Sequence, residues 1–276
     1  MICAFRGVFP SIYRNSLMSL SRSVRNKSEY THFGNETVSE EEKGKRVHEV
    51  FQKVANNYDL MNDLMSGGMH RYWKDEFIER LSPSDGTELL DVAGGTGDIA
   101  FRFLRYLKNG GQSGRVTVCD INKEMLRVGE ERAKKLGFEK DIEWIEGDAE
   151  KLPFASESYS AYTIAFGIRN VTRIQNALLE ARRVLKRGGR FLCLEFSHVD
   201  NPVLRQVYDQ YSFQVIPVLG QVVAGDWKSY QYLVESIRKF PNQEEFSDMI
   251  KKAGFQEVTY ENLTFGVVAI HSAFKL

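Results

Sequence analysis

Cysteine is scarce in this chain of 276 residues, and the three that occur are scattered at Cys3, Cys119 and Cys193. They include no CxxC pair, which argues against a disulfide framework and indicates a reducing compartment. The five histidines show no metal-ligand spacing either. We therefore predict that the protein holds no metal.

Net charge is also lacking, because 37 lysines and arginines balance 37 aspartates and glutamates. A domain that binds nucleic-acid phosphates usually carries a basic excess, so we predict no nucleic-acid partner. The chain has no run of roughly 18 uninterrupted apolar residues, the length that a membrane-spanning helix needs, so membrane association is predicted to be peripheral. With 42% hydrophobic and 27% charged residues, the composition suits one large globular domain, or one carrying insertions.

The first 28 residues contain no acidic side chain. They are rich in serine and include five basic residues, Arg6, Arg14, Arg22, Arg25 and Lys27. This composition is typical of an organellar transit peptide, and we predict that residues 1–28 are a mitochondrial transit peptide. The alternative is a disordered basic tail.

Beyond the leader, the spacing of apolar residues predicts helices over 39–55 and 70–81. A single domain over 36–276 would then open with a helical cap at 36–83. Short apolar runs alternate with helical segments from residue 88 onward, which predicts an α/β fold with a parallel sheet covered on both faces. The five predicted strands of this part are 88–93, 115–120, 142–145, 161–166 and 190–196.

Two segments depart from this alternation. The stretch 197–242 is longer than a crossover needs, and its apolar residues indicate an insertion beside the substrate. The last two apolar runs, 256–265 and 267–274, are joined near Gly266. So close a connection requires an antiparallel pair.

A glycine-rich turn follows the first strand of this sheet and leads directly into a helix, so backbone amides and the positive helix end face the ligand crevice. Glycines permit positive φ there and let a ligand touch the backbone. Because Gly95 to Ala100 also matches the dinucleotide pattern G-x-G-x-x-A, the turn alone leaves an NAD enzyme open. The candidate cofactor residues at this turn are Asp91, Gly94, Gly95, Thr96 and Gly97.

Acidic residues after the next strands bear on the kind of nucleotide. Asp120 can accept both ribose hydroxyls of either cofactor class, and it does not discriminate. Asp148 can accept from an adenine amino group while the Ala149 amide donates to the ring, which fits an adenosyl ligand. Asp91 can bind the ammonium of a methionine moiety, which a nicotinamide cofactor lacks. Two of these acids also have structural alternatives: Asp148 as a turn residue, and Asp91 as an acceptor for the amides of the turn.

Read together, several segments resemble the UbiE/MenG family of quinone C-methyltransferases, and the resemblance extends from about residue 47 to the carboxyl end. The segments are LLDVAGGTGDIAF (89–101), VCDINKEML (118–126), EGDAEKLPF (146–154), FGIRNV (166–171), VLKRGGRFLCLEFS (184–197) and, ahead of the core, YDLMNDLMS (58–66). FGIRNV and YDLMNDLMS are the most specific of them.

This resemblance implies the class I S-adenosylmethionine-dependent methyltransferase fold, which is Rossmann-like with seven strands, the last of them antiparallel. It implies S-adenosyl-L-methionine as methyl donor, with contacts at Thr96, Asp120, Asp148 and Ala149. Ala165 departs from bacterial relatives, which can carry a serine there, so no side-chain hydrogen bond to the cofactor is expected at this position.

Together with the leader, the resemblance implies C-methylation of 2-methoxy-6-polyprenyl-1,4-benzoquinol in ubiquinone biosynthesis, at the matrix face of the mitochondrial inner membrane. A homodimer in a peripheral complex with other enzymes of ubiquinone biosynthesis is also implied. A demethylmenaquinol methyltransferase would share every motif, and an NAD-dependent oxidoreductase would share the glycine turn. A scaffold that keeps the fold without catalysis is the remaining alternative.

Three residues are candidates for the chemistry itself. Arg169 and Asn170 follow the fourth strand, where a guanidinium can stabilise a developing phenolate and either side chain can hold a water that removes the proton. Tyr58 is expected to pack on or hydrogen-bond the ligands, with Asp59 beside it as a candidate base. His70 and Glu195 are further candidates for proton handling. The alternatives are a structural salt bridge for Arg169 and a helix cap for Asp59.

Overall fold

The computed structural model describes residues 30–54, 62–63, 66–224 and 227–276. The predicted transit peptide at 1–28, the candidate Tyr58 and its neighbour Asp59 lie outside the described residues.

The described part begins with a β-hairpin that the sequence analysis did not predict. Strand β1 (Tyr30–Phe33) pairs antiparallel with β2 (Glu36–Ser39) across the turn residues Gly34 and Asn35. Gly34 takes a φ of +58°, a conformation that tight hairpin turns require. The hairpin begins ahead of residue 36, where the domain was expected to start.

Two helices follow, as the apolar spacing predicted. Helix α1 spans Glu40–Val54, and the Ser39 hydroxyl accepts a hydrogen bond from the Glu42 amide at its start, at 3.2 Å. Helix α2 spans Met69–Leu81 and buries Trp73 and Phe77 against the sheet.

Seven strands form the central sheet: β3 (Thr87–Val92), β4 (Gly114–Asp120), β5 (Ile142–Glu146), β6 (Tyr159–Ala165), β7 (Leu185–Phe196), β8 (Gln256–Leu263) and β9 (Val268–Phe274). Their order is β5-β4-β3-β6-β7-β9-β8. The strands β3 to β7 pair in parallel, and β9 runs antiparallel to both of its neighbours. The predicted strands and the closing antiparallel pair are confirmed.

Helices cover both faces of this sheet. Leu89 and Leu90 show why, since these neighbours on β3 are both fully buried but belong to hydrophobic clusters on opposite faces. The helices that follow the strands are α3 (Asp98–Asn109), α4 (Lys123–Leu136), α5 (Ile174–Val184) and, before β8, α9 (Gln243–Lys252). The chain proceeds from β3 outward to β4 and β5, then returns to β6 on the other side of β3, which creates a ligand crevice at the carboxyl ends of these strands.

The predicted insertion between β7 and α9 is helical. It contains α6 (Pro202–Gln210), a π-helical turn at Tyr211–Val215, α7 (Ile216–Ala224) and α8 (Trp227–Lys239). Ile216, Tyr230 and Val234 form a small core of its own. Within the described ranges, no helix has the length and apolar character needed to cross a membrane.

The hairpin and the insertion meet beside the sheet. The Phe33 and Tyr232 rings are stacked, with 4.1 Å between centroids and 13° between planes. The Asn35 amide donates to Glu235 Oε2 at 2.9 Å. Elements from the two ends of the domain are thus joined over the carboxyl edge of the sheet.

Candidate active site

A cavity of about 550 Å³ lies at the carboxyl ends of β3, β4, β5 and β6. All the predicted cofactor residues except Gly97 line it: Asp91, Gly94, Gly95, Thr96, Asp120, Asp148 and Ala149. Helix α1 supplies another wall through residues that include Gly44, Val47, His48 and Phe51. The sequence analysis predicted α1 as a helix but not its place over the cofactor crevice.

The three glycines of the turn are required for different reasons. A Cβ on Gly94 would lie 2.7 Å from Asp91 Oδ2, and a Cβ on Gly97 would lie 2.5 Å from the Trp144 ring. Gly95 has a φ of +54°, and its missing Cβ would meet no protein atom within 4 Å. Gly94 and Gly97 therefore allow close packing, whereas Gly95 leaves space in the cavity.

We expect Gly95→Val to weaken binding of S-adenosylhomocysteine by at least about tenfold, because its side chain would occupy the cavity, while the positive φ would cost roughly 1–2 kcal/mol of stability. Isothermal titration calorimetry and urea unfolding measure the two effects. Gly111→Val is the matched control, since Gly111 is exposed, has a φ of +67° and also has open space at its Cβ position. Equal affinity in the Gly95 and Gly111 variants would contradict the placement of Gly95 in the site.

The turn is also marked by backbone conformations that are rare outside glycine. Ala93 has a φ of +51°, and Phe166, at the end of the adjacent strand β6, has a φ of +55°. A Cβ on Gly167 would lie 2.5 Å from the Ala93 Cβ, so the two strand ends are in close contact. Such conformations cost about 1–3 kcal/mol each and concentrate at functional sites.

Asp91 is fully buried in the wall of the cavity. Its Oδ1 accepts a hydrogen bond from the Thr163 hydroxyl at 2.8 Å, and its Oδ2 has no hydrogen-bond partner among the described residues. Burial raises the pKa of this carboxyl to about 7, with the nearby Asp120 adding to the rise. A buried oxygen without a partner is costly, and a cationic group of a ligand would satisfy it.

Asp120 binds backbone amides on both sides. Its Oδ2 accepts from Gly95 N at 2.9 Å and its Oδ1 from Asn122 N at 2.8 Å. Each carboxylate oxygen has a second lone pair, so these bonds leave acceptors for hydroxyl groups. Burial raises the pKa of this carboxyl as well, although the two amides oppose the rise.

The remaining predicted cofactor residues are Asp148, Ala149 and Thr96. Asp148 is exposed, and its Oδ1 accepts from the Glu150 amide at 2.9 Å, which is the turn role considered as the alternative. The buried Ala149 follows it in the cavity wall. The Thr96 hydroxyl accepts from Arg132 Nη1 of α4 at 2.6 Å, a partner that the sequence did not reveal.

Arg169 and Asn170 lie in a 3₁₀ turn (Ile168–Asn170) directly after β6. Arg169 is buried, and its Nη1 donates to Glu195 Oε1 at 2.7 Å and to the Phe166 carbonyl at 2.6 Å. Glu195 is 1% exposed, and burial raises its pKa while Arg169 opposes the rise. Asn170 Oδ1 accepts from the Tyr232 hydroxyl at 3.0 Å.

A second, smaller cavity of about 40 Å³ adjoins this turn. It shares Phe51, Lys74, Phe166 and Asn170 with the wall of the large cavity. The rest of its wall includes Arg169, His70 and residues of α8 such as Tyr232. The structure thus brings Arg169, Asn170, His70 and the insertion together at one point beside the cofactor crevice.

Lys74 was not predicted as a site residue. It is 5% exposed, and its ammonium donates to Asp98 Oδ2 at 2.7 Å, at the first residue of α3. Lys74 holds the pKa of the Asp98 carboxyl well below its usual range, although burial opposes this effect. A lysine within a helix carries no sequence signal for such a contact, because its partner is reached only through the packing of α2 on α3.

Solved methyltransferase structures share this fold. A S-adenosylmethionine-dependent methyltransferase from Thermotoga maritima, described as a possible histamine N-methyltransferase, has a TM-score of 0.58 and 19% identity and covers 83% of this chain and 100% of its own. One from Aquifex aeolicus has a TM-score of 0.53 and 17% identity and covers 74% of this chain and 89% of its own. Fold and site define a class I S-adenosylmethionine-dependent methyltransferase. The chain belongs to the ubiE/COQ5 methyltransferase family, a model of which matches residues 37–275.

Curated relatives match nearly the whole chain. A protein of Drosophila melanogaster is 60% identical, with 94% of this chain and 90% of its own length covered. One of Bos taurus is 56% identical, with 99% and 92% covered, and one of Homo sapiens is 55% identical, with 99% and 93% covered. All three are named mitochondrial 2-methoxy-6-polyprenyl-1,4-benzoquinol methylase.

Proposed function

We propose that the protein methylates a ring carbon of 2-methoxy-6-polyprenyl-1,4-benzoquinol in ubiquinone biosynthesis, at the matrix face of the mitochondrial inner membrane. The substrate follows from the names of relatives at 55–60% identity. The observation that carries methyl transfer is the pair of adjoining cavities, one lined by the predicted cofactor residues and the other by Arg169 and Asn170.

The residues of the large cavity fit S-adenosylmethionine. Asp91 offers a buried carboxylate oxygen, unpaired among the residues that the structure describes, for the ammonium of the methionine moiety. Asp120 would accept from the ribose hydroxyls, and Asp148 with the Ala149 amide would hold the adenine edge. Gly95 gives the ligand access to the backbone. When bound, S-adenosylmethionine supplies an electrophilic methyl group on a sulfonium centre.

The protein has to make a ring carbon nucleophilic and keep water away from the methyl group. Loss of a hydroxyl proton from the quinol moves electron density onto the adjacent ring carbon, so donors at the ring oxygen favour the reaction. Tyr232 donates to Asn170 Oδ1 and so fixes the orientation of the Asn170 amide. The two hydrogens on the amide nitrogen are then left to donate to a ring oxygen or a water. Arg169 stays protonated and acts through its field and its positioning of Asn170, not as the base.

The insertion is suited to the apolar tail of this substrate. The helices α6 and α7 and the π-helical turn between them expose Val203, Val207, Phe213, Val218 and Val222, while α8 lines the small cavity. We include peripheral contact of this surface with the membrane in the proposal, together with a homodimer and assembly with other enzymes of ubiquinone biosynthesis, which the family resemblance implies. Contiguous exposed apolar surface is typical of sites that meet a membrane, a ligand or a partner.

The test is transfer of a labelled methyl group from S-adenosylmethionine to reduced, short-tailed demethylated quinols, with mass spectrometry of the product. The full chain is expected to methylate the 2-methoxy-6-prenyl benzoquinol at its ring carbon and to leave a demethylnaphthoquinol almost unchanged. Preferred methylation of the naphthoquinol would instead support the menaquinone-type activity. If neither quinol became labelled, the proposed function would be refuted.

A further inference from the structure

His70 is the one histidine lining the small cavity among the described residues. It is 5% exposed, and its Nε2 lies 2.8 Å from Asp63 Oδ1. Arg71 binds the same carboxylate with Nε at 2.9 Å and Nη2 at 2.6 Å. An ionised carboxylate on Nε2 favours the tautomer in which Nε2 carries the proton and Nδ1 has a free lone pair.

The Nδ1 atom of His70 is buried and has no hydrogen-bond partner among the described residues. The charged side chains of this cavity are bound to neighbours, Arg169 to Glu195 and Lys74 to Asp98, and the Tyr232 hydroxyl donates to Asn170 Oδ1. Ser66, also in the wall, donates to the Asn62 carbonyl and accepts from the His70 amide. His70 Nδ1 is therefore a buried lone pair that the described residues leave without a donor, on a residue that lines the same small cavity as Arg169 and Asn170.

We infer that His70 is the proton acceptor of the methylation, taking the proton of a ring hydroxyl at Nδ1 through a water in the small cavity, with Asp63 as its positioning residue. This inference rests on the proposed function. The cavity of about 40 Å³ exceeds the roughly 10–15 Å³ that one water needs. It is too small for the quinol ring, which belongs in the large cavity across the shared wall of Phe166 and Asn170.

Bonds and protons balance between the quinol ring and His70. The hydroxyl O–H bond breaks, and its proton passes through the water to Nδ1. The ring carbon then forms the new C–C bond with the methyl group as the methyl–sulfur bond breaks, which leaves a ring carbonyl. The same carbon loses its hydrogen as a proton, and the oxygen recovers a proton from His70. One proton leaves to solvent in each turnover.

The surroundings keep His70 neutral, as a base must be. Burial lowers the pKa of His70, the nearby Lys74 lowers it further, and Asp63 and Asp98 oppose these effects. Arg71 holds the pKa of the Asp63 carboxyl far below its usual range, with His70 adding to the effect. Arg169, which lines the same cavity, is neutralised by Glu195 in an ion pair of no net charge.

A second buried histidine shares the unpartnered Nδ1 but lacks the other features of His70. His271 is 1% exposed, its Nδ1 also has no partner among the described residues, and its Nε2 lies 3.0 Å from the Gln243 carbonyl. Its ring packs between Phe246 and Tyr260, and neither cavity reaches it. A carboxylate partner and a place in the cavity wall are what distinguish His70, and His271 is the matched control.

The test compares His70→Gln, His70→Ala, Asp63→Asn and His271→Gln in the full chain with the short-tailed benzoquinol. We expect His70→Gln to lower kcat by about 100-fold or more while S-adenosylhomocysteine binds normally. The acidic limb of the wild-type pH profile, below the ordinary histidine pKa of about 6.5, should vanish in this variant. Asp63→Asn should move that limb to lower pH, and added imidazole should restore part of the activity of His70→Ala.

Three results would overturn the inference. They are near-normal kcat in His70→Gln, an unchanged pH profile with no imidazole rescue, or an equal loss of kcat in His271→Gln. If the wild-type protein failed to methylate the quinol, the proposed function itself would fall and this inference with it. Normal wild-type turnover with normal turnover of His70→Gln would refute the role of His70 alone.

Discussion

Asp91→Asn is expected to weaken S-adenosylhomocysteine binding by about 100-fold or more, the scale of a lost, buried charge pair. Asp91 lies fully buried in the cavity wall, and no side chain or backbone group in the described part of the chain binds its Oδ2. Asparagine keeps the size of the side chain and can still accept from Thr163. It cannot supply the negative charge that the ammonium of the ligand requires, so affinity should fall without loss of the fold.

The same carboxylate should make stability depend on pH. Burial raises the pKa of Asp91 from 3.8 to about 7, so between these values the folded protein binds the extra proton. The contribution of Asp91 to stability is therefore greatest below about pH 4 and falls between about pH 4 and 7, by on the order of 4 kcal/mol in the ligand-free protein. Asp91→Asn should remove this decline and so raise stability above about pH 7. Part of this gain in stability will be offset, because an unpaired amide hydrogen costs roughly 1–3 kcal/mol.

Urea unfolding of ligand-free protein from pH 4 to 8 measures the decline, and calorimetry in buffers of different ionisation enthalpy measures protons released on ligand binding. In the wild-type protein we expect release of up to about one proton per site near pH 6–7, where the ligand ionises Asp91. Asp141→Asn, at an exposed position away from the cavity, is the control. Wild-type affinity in Asp91→Asn at pH 8 would show that Asp91 does not bind the ligand.

Arg169→Ala is expected to lower both stability and turnover. Removing the arginine leaves Glu195 buried without its cationic partner, a change that costs about 3–5 kcal/mol. Loss of the positive group at the site should also lower kcat by about 10²–10³-fold. Because the pKa of Glu195 should rise further without Arg169, the loss of stability should shrink as the pH falls and the carboxyl is protonated.

The double variant Arg169→Met with Glu195→Gln separates the two effects. It removes both charges, so urea unfolding should show most of the lost stability restored, while turnover stays low and S-adenosylhomocysteine still binds. Recovery of turnover in the double variant would mean that Arg169 serves the structure of the site and not the reaction.

The sequence predicted the elements better than their contacts. Strands such as Thr87–Val92 carry their own signal, because their buried residues form short apolar runs that end in glycine. The hairpin of β1 and β2 was missed because each strand has only four residues, although a Gly34-Asn35 turn between two short strands is a recognisable signal. The closing pair β8 and β9 was predicted because its connection is too short for any other arrangement.

Within the site, the sequence indicated which residues lie at the carboxyl edge of the sheet, but not which groups each side chain contacts. Glu195 follows Arg169 by 26 positions, and Asp98 follows Lys74 by 24, so these pairs arise only once the strands and helices are packed. The contact of Arg132 with Thr96 has the same origin. The role of α1 as a wall of the cofactor cavity likewise depends on tertiary packing, which a local apolar pattern does not encode.

The hairpin at Tyr30–Ser39 would limit where the predicted transit peptide at 1–28 can be cleaved off. Phe33 stacks on Tyr232, and the Tyr232 hydroxyl donates to Asn170, so the hairpin supports a side chain in the wall shared by both cavities. A protease that removes the basic leader ahead of Tyr30 leaves this support intact. A cut after Phe33 would remove the stacked ring and one strand of the hairpin, and the shortened protein would lose a support of the proposed substrate site.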